Sequence, residues 1–427
     1  MQDYIHYGEN FISRTVGMNV KDIKNCYGCG LCAVVCARRV INIDLNASGF
    51  YEPHIAHPDK CTDCGLCVEV CSFNKDGLCM EQPKEVQSYA AWSNDVQVRS
   101  KCSSGGVGFE LGRKMMEKGY RVCVVRYNAE AARAEHYIAT TPRELISGIG
   151  SKYIQSYTVD AFRAINRKEK YLVTGTPCQI DSFRRYIRKF HVEENFVLMD
   201  FFCHSVPSML AWRKYLQIVE RQVGKVTYAA WRNKQTGWHD SWAMTVDGER
   251  CFGDKVEWHD SYNMLIRGKK SCFYSRLSQG DIFYKLFLGD YCVNPACRKE
   301  CKYKYRASSA DIRIGDFWGD TYAHDEDGVS ATVAFTPCGN EILKSLDCTL
   351  TEHPFETVAE GQMHNNCKQA YLAGVVMNIL ENSSSKLFNN RFLWSCLFKT
   401  EGVLRLPQKV ICKLTGIIKG VNDKKTI

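Results

Sequence analysis

Four thiols fall within eleven residues in "CYGCGLCAVVC", Cys26 to Cys36, and "CTDCGLCVEVC", Cys61 to Cys71, repeats the arrangement 35 residues further on. Each run reads C-x2-C-x2-C-x3-C. A loop this tight presents three thiolates to one 4Fe–4S cubane. The fourth cysteine, on the helical turn that follows, points toward a neighbouring cubane. The spacing therefore assigns Cys26, Cys29, Cys32 and Cys71 to one cluster, and Cys61, Cys64, Cys67 and Cys36 to a second. Gly30 and Gly65 let the loops wrap closely and offer amides to cluster sulfurs. Zinc fits less well, because its sites pair cysteines across a longer gap and eight thiols in two tight runs would crowd single tetrahedral ions. A disulfide framework is the other bland account. No basic-then-apolar leader precedes "MQDYIHYGENF", so a reducing, cytoplasmic setting is expected, where dense cysteines hold metal.

Four further cysteines stand at telling positions. Cys178 in "YLVTGTPCQI" and Cys203 in "NFVLMDFFCHSVPS" each follow an apolar run of strand length. In parallel α/β sheets ligands collect at the carboxyl ends of strands, so these two thiols can converge. Cys297 and Cys301 in "NPACRKECKYKYR" offer the remaining pair for a third 4Fe–4S site, with Cys292 competing with Cys297. Isolated buried cysteines are the default against which that site is weighed. They are also the reading for the remaining eleven of the 23 cysteines, such as Cys123 and Cys396, which mostly have apolar neighbours.

Three loops have the composition of a phosphate site. "RSKCSSGGVGFELGRKMM" runs small residues (Ser103, Ser104, Gly105, Gly106) into a helix whose free amides suit a phosphate or pyrophosphate. "GSKYIQS" adds Lys152 and "GTPCQ" adds Thr176. Taken singly, the first is also an ordinary turn and N-cap, and Lys152 is also an ordinary solvated lysine. "ADIRIGDFWGD" ends a strand in a glycine turn with Asp316 and Trp318, which reads equally as a hairpin corner.

The elements that must position these residues change character along the chain. Residues 21–80 form a small cysteine-rich module, closed by the polar "EQPKEVQ". A helix ending near Gly119, the strand "RVCVVRY", a capped helix start at Thr141, Pro142 and Glu144, and the runs "KYLVTG" and "NFVLMDFF" then alternate in the manner of a mostly parallel sheet. From 225 to 265, "KVTYAAWRN", "SWAMTVDG" and "RCFGDKVEW" predict antiparallel β. The fold class is thus α/β, with a mixed, mostly parallel sheet and an antiparallel portion, preceded by a small α+β dicluster domain. Residues 1–20 carry little signal. From about 384 the chain is basic and mildly amphipathic ("LPQKVICKLTGIIKG"), which reads as a solvated surface helix before it reads as a partner-docking tail. Hydrophobic content of 45% with 24% charged residues excludes a disordered or fibrous chain, and no apolar run is long enough for a membrane span. The formal net charge of +9 falls to roughly +3 once three clusters of about −2 each are bound. That balance requires no nucleic-acid partner; a zinc-bearing nucleic-acid binder would be colourless.

In this order, two ferredoxin-type runs, "SSGG", "GSKY", "GTPCQ", "FCHSVPS", "CRKECKYK" and "ADIRIGDFWG" resemble the coenzyme F-420 hydrogenase/dehydrogenase beta-subunit family, in its bacterial branch with an N-terminal 4Fe–4S dicluster ferredoxin domain. The resemblance implies the ferredoxin-type domain at 21–80, a flavin-binding beta-subunit domain in two parts at 85–165 and 166–340, and a C-terminal extension at 341–427 without a motif. It implies FAD held by Ser103, Ser104, Gly105, Gly106, Lys152 and Thr176, and a third cluster on Cys178, Cys203, Cys297 and Cys301. It also implies exchange of electrons with coenzyme F-420 or another small acceptor, a redox partner protein (ferredoxin or an enzyme subunit), and a link to polysaccharide biosynthesis. Ser205 stands where the family often has glycine, and Cys297 and Cys301 are separated by three residues where two are usual. His204, beside a cluster ligand, is the candidate catalytic residue as a proton donor near the flavin. The alternative is a non-catalytic subunit that delivers electrons to a partner enzyme.

Overall fold

The structure is a computed structural model that describes residues 19–251 and 273–406. The sequence readings of residues 1–18, of most of "RCFGDKVEW" and of the basic stretch after Leu406 lie outside the described residues.

In the cysteine-rich module, the hairpin of β1 (Ile41–Leu45) and β2 (Tyr51–Ile55) follows the helix Leu31–Val35 in the chain and precedes Leu66–Glu69, and the two helices pack on each other. Alternation decides its faces: Ile41 and Ile43 are buried while Asn42 and Asp44 are exposed. A module this small buries little apolar surface by itself. Its Leu31, Ile41, Ile43 and Val68 instead share one core with Val159, Phe162, Ile180 and Phe183 of the larger domain.

The larger domain is built on a nine-stranded sheet. Its strands are β3 (Gln87–Ser93), β4 (Arg121–Asn128), β5 (Arg133–Ala139), β6 (Ser156–Tyr157), β7 (Tyr171–Thr174), β8 (Phe196–Phe201), and, after three strands of a separate sheet (β9 to β11, below), β12 (Ile312–Asp316), β13 (Ser330–Ala334) and β14 (Cys348–Glu352). Their order is β14-β3-β13-β12-β8-β7-β4-β5-β6. The centre, β12-β8-β7-β4, is parallel, as is the β5–β6 edge; the other four pairings are antiparallel. Central strands are buried on both faces, and successive residues enter different cores. Tyr171 and Val173 pack toward the cysteine-rich module, whereas Leu172 packs on the helix Val107–Glu117 through Leu111 and Met115. Helix starts follow local rules. Thr176 and Gln179 form a capping box ahead of Pro177 in the helix Pro177–Lys189, and Thr141 caps Pro142–Leu145 by accepting from the Glu144 amide.

The antiparallel portion is a separate sheet of β9 (Val226–Ala230), β10 (Ala243–Gly248) and β11 (Phe273–Arg276) in the order β11-β10-β9. It packs on the helix Met209–Val223 through Trp212, Tyr215 and Val219. The helices Ala373–Asn382 and Arg391–Leu404 cover another side of Met209–Val223 with Val376, Leu380 and Trp394. Among the described residues no helix is long and apolar enough to cross a membrane.

Candidate cluster and cofactor sites

The two cysteine runs adopt one backbone. Gly30 (φ 80°) precedes the helix Leu31–Val35 and Gly65 (φ 78°) precedes Leu66–Glu69, a left-handed turn that only glycine enters without strain. In the first set, Cys26, Cys29, Cys32 and Cys71 lie within electrostatic reach of one another. Burial pushes the Cys26, Cys29 and Cys32 thiols up and Cys71 to about 12, and for Cys26, Cys32 and Cys71 the neighbouring thiols add to the shift. Bound iron would reverse that balance, because a coordinating thiol gives up its proton to the metal charge. The second set is nearer solvent: Cys64 is exposed, Cys61 and Cys36 are half-buried, and Cys67 is buried. Among the described residues no three His, Cys, Asp or Glu side chains gather as a single bound ion needs. A cubane asks for a wider ring, since each thiolate takes a different iron.

The larger domain grips the first run by its carbonyls. Gln155 Nε2 donates to Tyr27 O at 2.8 Å, Thr158 Oγ1 to Cys29 O at 2.9 Å, and Asn294 Nδ2 to Cys26 O at 3.1 Å. Such bonds contribute about 1 kcal/mol each. Two serines then join the first set to Cys178. Cys29 Sγ lies 3.3 Å from Ser182 Oγ, which also accepts from the Ser72 amide (3.2 Å) and donates to Ser72 Oγ (2.7 Å). Ser72 Oγ in turn donates to Cys178 O at 3.2 Å.

Cys178 sits in the first turn of Pro177–Lys189, Cys203 just past β8, Cys297 in the helix Pro295–Lys299, and Cys301 just beyond it. The fold brings these four together. Burial raises Cys178 well above its ordinary value, with Cys297 and Cys203 adding to it; Cys297 is raised by burial, then by Cys203 and Cys301. Cys203 is pushed up to about 11 by burial, against the pull of Lys304. Cys292 points elsewhere, into an apolar cluster with Ala211, Leu286 and Tyr291. Behind Cys203, strands β8 and β12 are locked by Asp200 and Arg313, fully buried and joined by two bonds of 2.7 Å.

A cavity of about 450 Å³ opens beside this third set, lined by Ser103, Ser104, Gly106, Lys152, Thr176, Cys203 and His204. Gly105 lies behind the wall, its amide donating to Ser330 Oγ at 3.0 Å; a β-carbon there would meet Ser330 N at 2.8 Å. The loops are tied to one another. Ser103 Oγ accepts from the Ser151 amide at 2.9 Å, and Ser104 Oγ donates to Val329 O at 2.6 Å. Thr176 Oγ1 is 3.2 Å from Cys178 Sγ, which joins cavity and third set. Residues 106–109, at the start of Val107–Glu117, also line the cavity, and no side chain caps that helix. Its first amides and positive dipole end therefore face the space. Burial pulls Lys152 down to about 7, while its Nζ donates to Gly148 O (2.9 Å) and Ile149 O (3.0 Å). His204 Nε2 faces Asp290 Oδ1 at 2.8 Å, and its ring packs edge-on against Phe287.

Sequence reasoning missed several residues of this site. Arg232, fully buried, bonds both Asp316 oxygens at 3.1 Å and Ser103 O at 3.1 Å. Tyr153 and Trp242 stack at 4.5 Å to form an aromatic wall. Asp290, Lys304 (2.7 Å to Cys203 O) and Cys367, close to Cys301, complete the surroundings. Asp316 was read as a hairpin corner, while Arg232, Tyr153, Trp242 and Lys304 lie in stretches read for other features and Asp290 and Cys367 in none; no local pattern marks any of them as part of this site.

Two family models describe the beta subunit of coenzyme F-420 hydrogenase/dehydrogenase. The one for its C terminus matches residues 168–356, and the one for its N-terminal part matches residues 88–163. Together they span more than half the sequence. The chain belongs to this family. A 4Fe-4S dicluster domain model matches residues 25–75, so an iron–sulfur module precedes the beta-subunit region. A curated relative, the Coenzyme F-420 hydrogenase subunit beta of Methanococcus voltae, is 27% identical over 125 residues, covering 27% of this chain and 44% of the relative. The chain thus spans less than half the length of the curated relative it matches. The F-420-reducing NiFe hydrogenase complex from Methanosarcina barkeri, in a xenon-derivatised structure, matches at 18% identity and a TM-score of 0.42, covering 71% of this chain and 91% of that chain. The beta-subunit match takes in the cavity loops and all four cysteines of the third set; the helices beyond residue 356 fall outside it.

Proposed function

We propose that this chain is an iron–sulfur flavoprotein oxidoreductase relaying electrons between ferredoxin-type 4Fe–4S clusters and FAD, with coenzyme F-420 or another small hydride or electron acceptor as substrate. The observation that carries this reading is the meeting of three small-residue loops at one cavity, beside four half-buried cysteines drawn from three separate segments. Cys26, Cys29, Cys32 and Cys71, then Cys61, Cys64, Cys67 and Cys36, then Cys178, Cys203, Cys297 and Cys301 would hold the clusters. Ser103, Ser104, Gly106, Lys152 and Thr176 would hold the flavin, with Gly105 anchoring their loop to Ser330 from behind the wall. When bound, that flavin supplies the exchange between one-electron carriers and a two-electron acceptor.

The chain's own contribution is binding and orientation. The uncapped amides of Val107–Glu117 and the Lys152 cation suit phosphate oxygens, and the Tyr153–Trp242 wall suits a flat ring. Asp290 holds His204 through Nε2, which leaves Nδ1 as the atom from which a proton can be handed into the cavity. Exposure of Cys64 favours the second reading, a subunit exchanging electrons with a ferredoxin or enzyme partner at that surface.

Anaerobic reconstitution followed by iron, sulfide and flavin analysis tests the cofactors, with about twelve irons expected per chain. Reduction by dithionite, then reoxidation by a small acceptor with no partner present, favours the enzyme over the delivery subunit. Comparing coenzyme F-420 with acceptors tied to polysaccharide biosynthesis separates the substrates. A colourless protein containing only zinc would overturn the reading. Turnover unchanged in His204→Gln would remove His204 from the proton route.

A further inference from the structure

Among the described residues, nine large apolar side chains are markedly exposed, and seven of them, Tyr371, Val375, Leu387, Phe392, Val403, Leu404 and Leu406, lie between 371 and 406. That segment is beyond the family match, which ends at residue 356. Three of them share one line on the helix Arg391–Leu404 and the two residues that follow it. Phe392, Val403 and Leu406 stand at i, i+11 and i+14, with exposed Cys396 and Lys399 at i+4 and i+7 between them. The opposite face is committed. Trp394 is buried and donates to Phe388 O at 2.6 Å, and buried Glu401 accepts from the Tyr371 and Leu372 amides and from Arg405. The helix cannot roll its apolar line inward without breaking those bonds. A row of large apolar side chains held outward in this way, with a lysine among them, marks an interaction surface.

The composition of this end of the chain selects the occupant. Residues 385–427 carry nine Lys and Arg against two Asp and Glu, so this tenth of the chain holds seven of its nine net positive charges. Lys386, Arg391 and Lys399 are exposed on the helices that bear the apolar line. A second copy would bring cations against cations and is disfavoured. Apolar side chains flanked by cations match an anionic bilayer surface, where the former enter the headgroup–acyl boundary and the latter meet lipid charge. We propose that the C-terminal helices are a peripheral docking face for anionic membranes, which sets the cavity and clusters at a lipid surface without a spanning helix.

The full, anaerobically purified chain would be sedimented with phosphatidylcholine vesicles and with vesicles containing about one-third phosphatidylglycerol. Binding is expected to the anionic vesicles alone and to weaken as salt is raised. Replacing Phe392, Val403 and Leu406 together with serine should cut it at least about tenfold. Lys386→Gln and Arg391→Gln should each cut it about fivefold. These side chains are exposed, so iron content and far-UV circular dichroism should stay at wild-type values. No binding to anionic vesicles, or binding indifferent to the triple variant, overturns the proposal. So does a triple variant that turns a dimer into a monomer by light scattering, or a face found to hold an acidic protein and no lipid.

Discussion

A methyl group added at Gly30 would run into the Thr158 hydroxyl, whereas one added at Gly65 would meet nothing within 4 Å, although both glycines hold the same left-handed backbone. The two cysteine runs thus share spacing and conformation and differ in what surrounds them. Gln155, Thr158 and Asn294 clamp the first run, and Ser182 lies against Cys29; the second run faces outward with Cys64 exposed. Ligand identity is therefore a local property of each run, while insulation from water comes from docking on a domain more than a hundred residues away in sequence. Solvent exposure and hydrogen bonds to sulfur are what tune cluster potentials. Two copies of one sequence pattern should accordingly behave as two different carriers, the outer reachable by a partner and the inner leading to Cys178.

The largest expected effect comes from removing a ligand on each side. Cys32→Ala should cost about four irons and also destabilise the fold, because Cys32 belongs to the core shared by module and larger domain. Cys64→Ala should cost about four irons in a chain that stays folded. Iron analysis with circular dichroism checks both, and equal unfolding would erase the distinction between the runs. The glycines give the next contrast. Gly65→Ala should lose about 1 kcal/mol of stability from left-handed strain alone. Gly30→Ala should lose about 3 kcal/mol, since the Thr158 clash adds to the same strain. Thermal denaturation reads the difference, and equal losses would mean that the first run is not pressed against Thr158.

What was legible in the sequence divides along the same line. Spacing within eleven residues names eight cysteines, and short-range caps at Thr141 and Thr176 are visible because their partners lie three residues on. Cys178 and Cys203 were readable as strand-end positions once β7 and β8 were seen as apolar runs. The clamp of Gln155 and Asn294, the Arg232–Asp316 pair and the His204–Asp290 pair were not readable. Each joins residues more than eighty apart, and an isolated Gln, Arg or Asp carries no periodic mark of its partner. The parallel arrangement proved to be the centre of a mixed sheet, because the consecutive strands β4–β5 and β12–β13 pair antiparallel on either side of it and β3, from a distant segment, joins β13 and β14 antiparallel at one side.

A smaller effect sharpens the docking itself. Gln155→Leu removes the donor to Tyr27 O while keeping the side chain's approximate volume, and should cost about 1 kcal/mol. The electron paramagnetic resonance signal of the inner cluster should shift and that of the outer should not. A shift in both would show that the two runs respond as one unit.

The smallest effect concerns Lys152, where burial acts on a cation as it acts on the inner thiols, favouring the uncharged form. Its ammonium is held down to about 7 in the folded chain, against about 10.4 in an unfolded one. Between those values the unfolded chain binds more protons, so stability without a bound anion should rise as pH rises from about 7 toward 10. Over the same window the cation offered to a phosphate fades, so flavin affinity should fall. Lys152→Met should weaken flavin binding about threefold at pH 6 and hardly at all at pH 9, flattening the pH profile of fluorescence titrations. A profile unchanged by the substitution would remove Lys152 from the phosphate site and leave the helix amides of Val107–Glu117 to hold the anion alone.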